Sequence, residues 1–356
     1  MVRRAVRRLD GRVRHPVSGS GGRDRPASTC ERADAVARLP HSSLDLLVIH
    51  IPRRPAFRGR RHDQAAHMTP LVAATVRRLG SLAHRRELLA TGLTRRQVES
   101  SWRAGEILRI RHGLYALVDL PVDVIRAARV GGALAGASSL AHRGAWVPPS
   151  PRLVVSVPHN ARDLRDPDDA GERLDPDRDD VLVLRDLSRF DRRAERLMAS
   201  PGRAAAQVPL HEPPEHAAAI VDSALRLLPM QRPGLDEVSR LLATRRSARG
   251  LVTMIDPRAE SGTESIARLL LARDGIRAEP QVWVDDHTRV DLLIDGWLVL
   301  ECVSKEHHSS PSVYNRDRER IVHITGLGFV VLEVTYPQVL FDWPSVRQAV
   351  RMTLGR

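Results

Sequence analysis

The chain has 356 residues, enough for more than one core, since a single domain usually holds about 100–200 residues. No apolar run reaches the roughly 18 residues of a membrane-spanning helix, and two distant cysteines, Cys30 and Cys302, exclude a disulfide framework or a cysteine zinc knuckle. The net charge of +13 points to a polyanionic partner in the cytoplasm, but positions 1–67 hold most of the excess, with 15 Arg against 6 acidic residues.

Residues 1–67 mix Arg-rich, Pro-containing and Gly/Ser stretches around one apolar run, Leu44 to Ile51, and cannot easily build a core. They read as a disordered tail, either a basic arm for nucleic acid or unselected G+C-rich upstream sequence with the true start at Met68. Lys305 is the only lysine in the chain, a bias that codon usage produces without selection for guanidinium chemistry.

From Thr69 helical periodicity begins, with Leu71, Val72, Val76 and Leu79 on one stripe. Glu87 to Ala90, a turn at Thr91-Gly92-Leu93, and a second helix from Thr94 to Ala104 give a helix-turn-helix layout, with Thr94 as cap and Val98 and Trp102 inward. The other face carries Arg95, Arg96, Gln97, Ser100 and Arg103, residue types that reach phosphates and base edges from a major-groove helix. Ile107 to Leu117 then alternates around Arg109, Arg111, His112 and Gly113 like a β-wing. The plain alternative is a solvated helix face in an Arg-rich protein.

Over Leu71 to Leu117, with its ELLATGLTRRQVESSWRAGEILRIRHGLYAL run, the chain resembles the N-terminal winged helix of the AbiEi-type antitoxins of abortive-infection systems. That resemblance implies double-stranded DNA as partner, autoregulation, and a toxin–antitoxin or phage-defence setting in which a cognate toxin is a candidate partner.

Residues 121–255 read as a mixed α/β scaffold. Helices interrupted by small residues span Val122 to Trp146, strands follow at Leu153 to Val157 and Val181 to Leu184, and helices at Glu215 to Leu228 and Leu235 to Leu242. Between the strands, Asp163 to Asp180 is a charged loop. His142, His159, His211 and His216 are expected at the surface or in caps, and no catalytic constellation stands out.

In residues 256–356, Ser261-x-x-Glu264 has the spacing of a capping box before a helix ending at Gly275. Asp295-Gly296 marks a hairpin; with a loop of Asp295, Gly296 and Trp297, Ile294 faces Leu298 and Asp291 faces Glu301. Two carboxylates among Leu, Ile and Val are costly to bury unless a cation or other donors satisfy them, which points to Asp291 and Glu301 as ligands of Mg²⁺. An acid or lysine two residues past the Glu would complete such a site, and that position is Val303. Lys305, in a continuing strand, would share the pocket face, and His307 or His308 could act as general base; a surface lysine and loop histidines are the alternative.

The stretch from Pro257 to Val350 is similar to the very-short-patch-repair-endonuclease-like family, a PD-(D/E)xK, restriction-endonuclease-like α/β fold. The likeness rests on DPRAESGTES, Val290-Asp291-Leu292, Leu300-Glu301-Cys302, His307-His308, Tyr314 to Arg318 and Gly328 to Thr335. It implies catalytic roles for Glu264, Asp291, Glu301 and His308, with Asp usual where this chain has Val303. The sequence therefore predicts an α/β multidomain protein: a winged helix-turn-helix at 68–120, the middle scaffold at 121–255 and the endonuclease-like domain at 256–356. It is either a DNA-binding regulator with an impaired nuclease site or an active Mg²⁺-dependent endonuclease; a third reading is an adaptor that binds a partner protein through its middle region.

Overall fold

Helix α1, Thr69–Arg78, opens the described structure, a computed structural model covering residues 69–149, 152–175, 177, 180–187, 195–227, 229–244, 246–303 and 311–356. The tail 1–67 and the start at Met68 lie outside the described residues, as do Lys305, His307 and His308. The described residues form a mixed α/β fold with three sheets, within a compact unit spanning Arg61–Arg356. None of the helices among them is long and apolar enough to cross a membrane.

After α1 come β1 (Leu82–His84), α2 (Arg85–Ala90) and α3 (Arg95–Arg103), then a hairpin of β2 (Ile107–Arg111) and β3 (Leu114–Leu117). The sheet order is β1-β3-β2, all antiparallel. Val72 and Val76, one helical turn apart, pack with Leu88, Val98, Ile107 and Tyr115 in one apolar cluster, while Leu71 is half exposed and outside the stripe. The turn between α2 and α3 needs a left-handed residue, and Gly92 supplies it at φ 93°.

The next segment runs through α4 (Val122–Val130), β4 (Ala133–Leu134), α5 (Gly136–His142), β5 (Leu153–Ser156) and β6 (Val181–Leu184). Strands β4 and β5 pair antiparallel, β5 and β6 parallel. Three helices follow: α6 (Pro201–Gln207), α7 (Pro214–Leu225) and α8 (Leu235–Ala243). Alanines at 204–206 and 217–219 are buried, so these helices approach closely with little side chain between them. Strand β4 and helix α6 escape sequence analysis, β4 because two residues carry no periodicity and α6 because its Ala-rich run has no stripe.

The last part contains α9 (Gly262–Arg273), β7 (Ala278–Trp283), β8 (Arg289–Ile294), β9 (Leu298–Val303), α10 (Pro311–Gly326), β10 (Val330–Thr335), α11 (Tyr336–Phe341) and α12 (Trp343–Leu354). Its sheet order is β10-β9-β8-β7, antiparallel from β7 to β9, with β10 joining β9 in parallel through α10. The β8–β9 ladder sets Ile294 opposite Leu298, the register predicted from the Asp295-Gly296 turn.

Apolar clusters cross the boundaries near 120 and 255. Leu82, Ile110 and Leu114 share one with Ala128, and Ala219 on α7 shares another with Ile266 on α9 and Leu300 on β9. Polar ties reinforce this packing. Arg196 donates to both oxygens of Glu87, at 2.8 and 3.0 Å, and Asp222 on α7 accepts from Ser265 and Arg268 of α9.

Candidate functional site

Helix α3 begins with a reciprocal cap. The Gln97 amide N–H donates to Thr94 Oγ1 at 3.3 Å, and the Gln97 side-chain oxygen accepts from the Thr94 amide at 2.7 Å. Arg95, Arg96, Ser100 and Arg103 are exposed on this helix, with Arg103 donating to Glu99 at 3.3 Å. Arg109 on the hairpin lies over the Trp102 ring, 5.1 Å from its centroid, and so joins β2 to α3.

Two of the expected DNA-contact residues are engaged within the fold instead. Gln97 is the closing arm of the cap, because a glutamine three residues after a threonine cap reaches the free backbone N–H more readily than it reaches solvent. Arg111 turns inward, donating to the Asp163 carbonyl at 3.0 Å with the Asp163 carboxylate 3.6 Å away. Gly131 makes room for it, since a Cβ there would stand 2.5 Å from the Arg111 guanidinium.

The second candidate site lies at the C-terminal sheet. Glu264, on the first turn of α9, is 4% exposed and Glu301, on β9, 6% exposed, with partly buried Asp291 on β8 between them. The Asp291 amide donates to Glu301 at 3.3 Å, and the Cys302 amide donates to Asp291 at 2.8 Å. The two carboxylates thus meet across the β8–β9 pair.

The capping box at Ser261 is incomplete. Ser261 Oγ accepts from the Glu264 amide at 3.1 Å, but the Glu264 carboxylate accepts from the Glu260 amide at 2.8 Å and from Gln281 Nε2 at 2.7 Å. Gln281 lies inside β7 with a left-handed φ of 58°, a costly conformation for a residue with a side chain, and the β7–β8 register skips it. The Gln281 amide sits between two acids, with Asp291 Oδ1 at 3.5 Å.

Arg320 on α10 completes the cluster. Its guanidinium forks onto both oxygens of Glu301, and its Nη2 also donates to the Arg289 carbonyl at 2.5 Å. Burial works against the charge of Arg320, yet the Glu301 carboxylate outweighs it and raises its pKa. Burial, and then the charges of Glu301 and Glu264, push Asp291 up to about 8. Burial, and then the charges of Asp291, Glu264 and Glu301, push the Cys302 thiol up.

A cavity of about 580 Å³ opens over this cluster, with Gln281 and Asp291 on the sheet side. Arg316, Arg320 and His323 line it from α10, spaced so that they share one helix face. Trp283, 61% exposed, forms another wall, and the Asp285 carboxylate holds His323 Nε2 at 2.6 Å.

The donor set does not fit a divalent metal well. Glu301 already has a fixed cation on both oxygens, Val303 offers no ligand, and among the described residues no three His, Cys, Asp or Glu side chains are placed to hold a metal ion together. Sequence reasoning finds Glu264, Asp291 and Glu301 but misses Gln281 and Arg320. Gln281 carries a signal, since it precedes the β7–β8 turn at a position opposite Asp291; Arg320 carries none, because only the crossover through α10 brings it there.

The middle region holds a closed polar network. Asp186 accepts from Ser156 at 2.6 Å and from Gln207 at 2.9 Å, with Arg203 at 3.2 Å. His211 is not at the surface as expected: its side chain is 2% exposed and bonded to Glu212 at 3.2 Å, because Gly136 leaves space for the ring. Burial opposes ionisation of Glu212, but hydrogen bonds from His211 and His216 prevail and hold its pKa at about 2.

No family model matches the sequence. The chain is similar to two uncharacterized proteins of Mycobacterium tuberculosis, one from strain CDC 1551 / Oshkosh and one from strain ATCC 25618 / H37Rv. Each is 28% identical over 261 residues, which cover 69% of this chain and 92% of the relative.

Proposed function

We propose that the chain is a cytoplasmic regulator that binds double-stranded DNA through a winged helix of the AbiEi-antitoxin type, joined to a restriction-endonuclease-like domain whose nuclease site is impaired. The observation that carries this reading is α3, a capped helix whose exposed face displays Arg95, Arg96, Ser100 and Arg103 beside a hairpin that brings Arg109 to its end. Guanidinium groups on such a helix reach phosphates and base edges when it enters a major groove. A cognate toxin is a further candidate partner in this setting, recognised by surfaces other than α3.

Binding led by phosphate contacts weakens steeply with salt, because each neutralised phosphate releases counterions. Fluorescence anisotropy of a labelled duplex across a salt series is expected to give a steep negative slope for the wild type. Arg95→Gln or Arg96→Gln each reduces that slope by about one. Arg103→Gln has a smaller effect, since Arg103 is shared with Glu99. A slope that is flat in the wild type, or unchanged by all three substitutions, rejects the assignment of α3.

One observation favours a second reading, a Mg²⁺-dependent endonuclease of the very-short-patch-repair type: Glu264, Asp291 and Glu301 converge beneath a cavity large enough for a nucleotide unit. Metal chemistry there would polarise a phosphodiester and activate water. A plasmid-nicking assay with Mg²⁺ or Mn²⁺ separates the readings. No nicking is expected from the wild type or from Glu301→Ala, with activity, if any, in Val303→Asp; wild-type nicking abolished by Glu301→Ala establishes the endonuclease.

A further inference from the structure

We infer that Arg320 is the resident cation of the acidic pocket: a guanidinium carried on α10 occupies the position over Asp291 and Glu301 that a divalent metal would need, and the pocket is built to work without metal.

Every carboxylate in the cluster already has donors. Glu264 takes the Glu260 amide and Gln281, Asp291 takes the Cys302 amide, and Glu301 takes the Asp291 amide together with both arms of Arg320. A metal bridging Asp291 and Glu301 would have to displace the guanidinium from both Glu301 oxygens.

Arg320 is also held from behind and from the side. Its Nη2 donates to the Arg289 carbonyl at 2.5 Å, which anchors the guanidinium to β8 as well as to Glu301. On the same helix, Arg318 donates to Glu333 of β10 at 2.8 Å, and His323 is bound to Asp285 of the β7–β8 turn at 2.6 Å. These ties fix the turn of α10 that carries Arg320 against both the sheet and the loop. A planar fork held in place matches a carboxylate in a way that a flexible lysine does not.

Val303 fits the same arrangement. It follows Glu301 by two residues on the same strand and brings no charge, so the pocket holds one acid fewer than its resemblance predicts. A monovalent guanidinium with several directed hydrogen bonds suits the reduced charge of the described acids.

The experiment uses the full chain without DNA, so its result is independent of the assignment of α3. Thermal unfolding is followed with and without millimolar MnCl2 for the wild type, Arg320→Gln, Arg320→Lys, Glu301→Gln and the double variant Arg320→Gln/Glu301→Gln. Mn²⁺ is expected to leave the wild-type Tm unchanged. Arg320→Gln is expected to lower Tm by about 5 °C or more by leaving Glu301 buried and unpaired, with Arg320→Lys in between. The double variant should lose less than the sum of the two single losses, because the two groups answer one another. The proposal is overturned if Mn²⁺ raises the wild-type Tm and Glu301→Gln removes that rise, or if the two single losses add. Should Arg320→Gln fail to fold, the wild-type and Glu301→Gln titrations with Mn²⁺ and the Tm of Arg320→Lys decide the question by themselves.

Discussion

At Asp291 the folded protein keeps a carboxyl protonated far above its ordinary range, through burial first and then the charges of Glu301 and Glu264. The unfolded chain releases that proton near pH 4, while the folded chain holds it until about 8. The contribution is therefore fully present at low pH and is lost as pH rises from about 4 towards 8. Asp291→Asn removes the titration and should flatten this decline, raising stability at pH 8 by an amount on the order of a few kcal/mol. Urea midpoints at pH 5 and pH 8 check it: an Asn variant with the same pH dependence as the wild type rules the effect out. The meeting of Asp291 with Glu301 is legible in sequence, because a turn at Asp295-Gly296 sets the register and alternation does the rest. The position of Gln281 opposite Asp291 carries a signal too, but the left-handed backbone that sets its amide between the acids does not.

Among the elements, α3 shows most directly how local chemistry positions a surface. Its cap consists of two hydrogen bonds between Thr94 and Gln97, and it fixes the first turn from which Arg95 and Arg96 project. Thr94→Ala should cost about 1 kcal/mol, and Thr94→Ser should recover most of that. Chemical denaturation of the three proteins measures the difference; equal midpoints for all of them would remove the cap from the account. The cap is visible in the sequence as Thr-x-x-Gln, but its consequence is easily missed, because a glutamine among arginines reads as a base contact. Strand β2 offers the complementary case: alternation places Arg109 and Arg111 on one face, yet a register shift between them separates their surroundings.

For the molecule as a whole, the key contact is between α7 and α9. Asp222 is fully buried, and burial raises its pKa ahead of the opposing influence of Arg268. It accepts from Ser265 at 2.9 Å, from Arg268 at 3.3 Å and from the Asp256 amide at 2.7 Å, so one side chain joins three places in the chain. Asp222→Ala leaves half-buried Arg268 without its carboxylate and should destabilise the protein by about 3 kcal/mol. Because apolar clusters cross this junction, calorimetry is expected to show the middle and C-terminal segments melting in one transition in the wild type. Two separate transitions would mean that these segments fold independently.

The amino-acid sequence alone determined the helices with clear stripes, the Thr94 cap, the β8–β9 register and the convergence of Asp291 and Glu301, all of which depend on neighbours within about ten residues. Only the tertiary structure decided that Arg111 faces Asp163, that His211 is buried, and that Arg320 forks onto both oxygens of Glu301. Those pairings join residues far apart in the chain. No local spacing encodes them, because they depend on how the crossover α10 and the packing of whole elements fold distant charges onto one another.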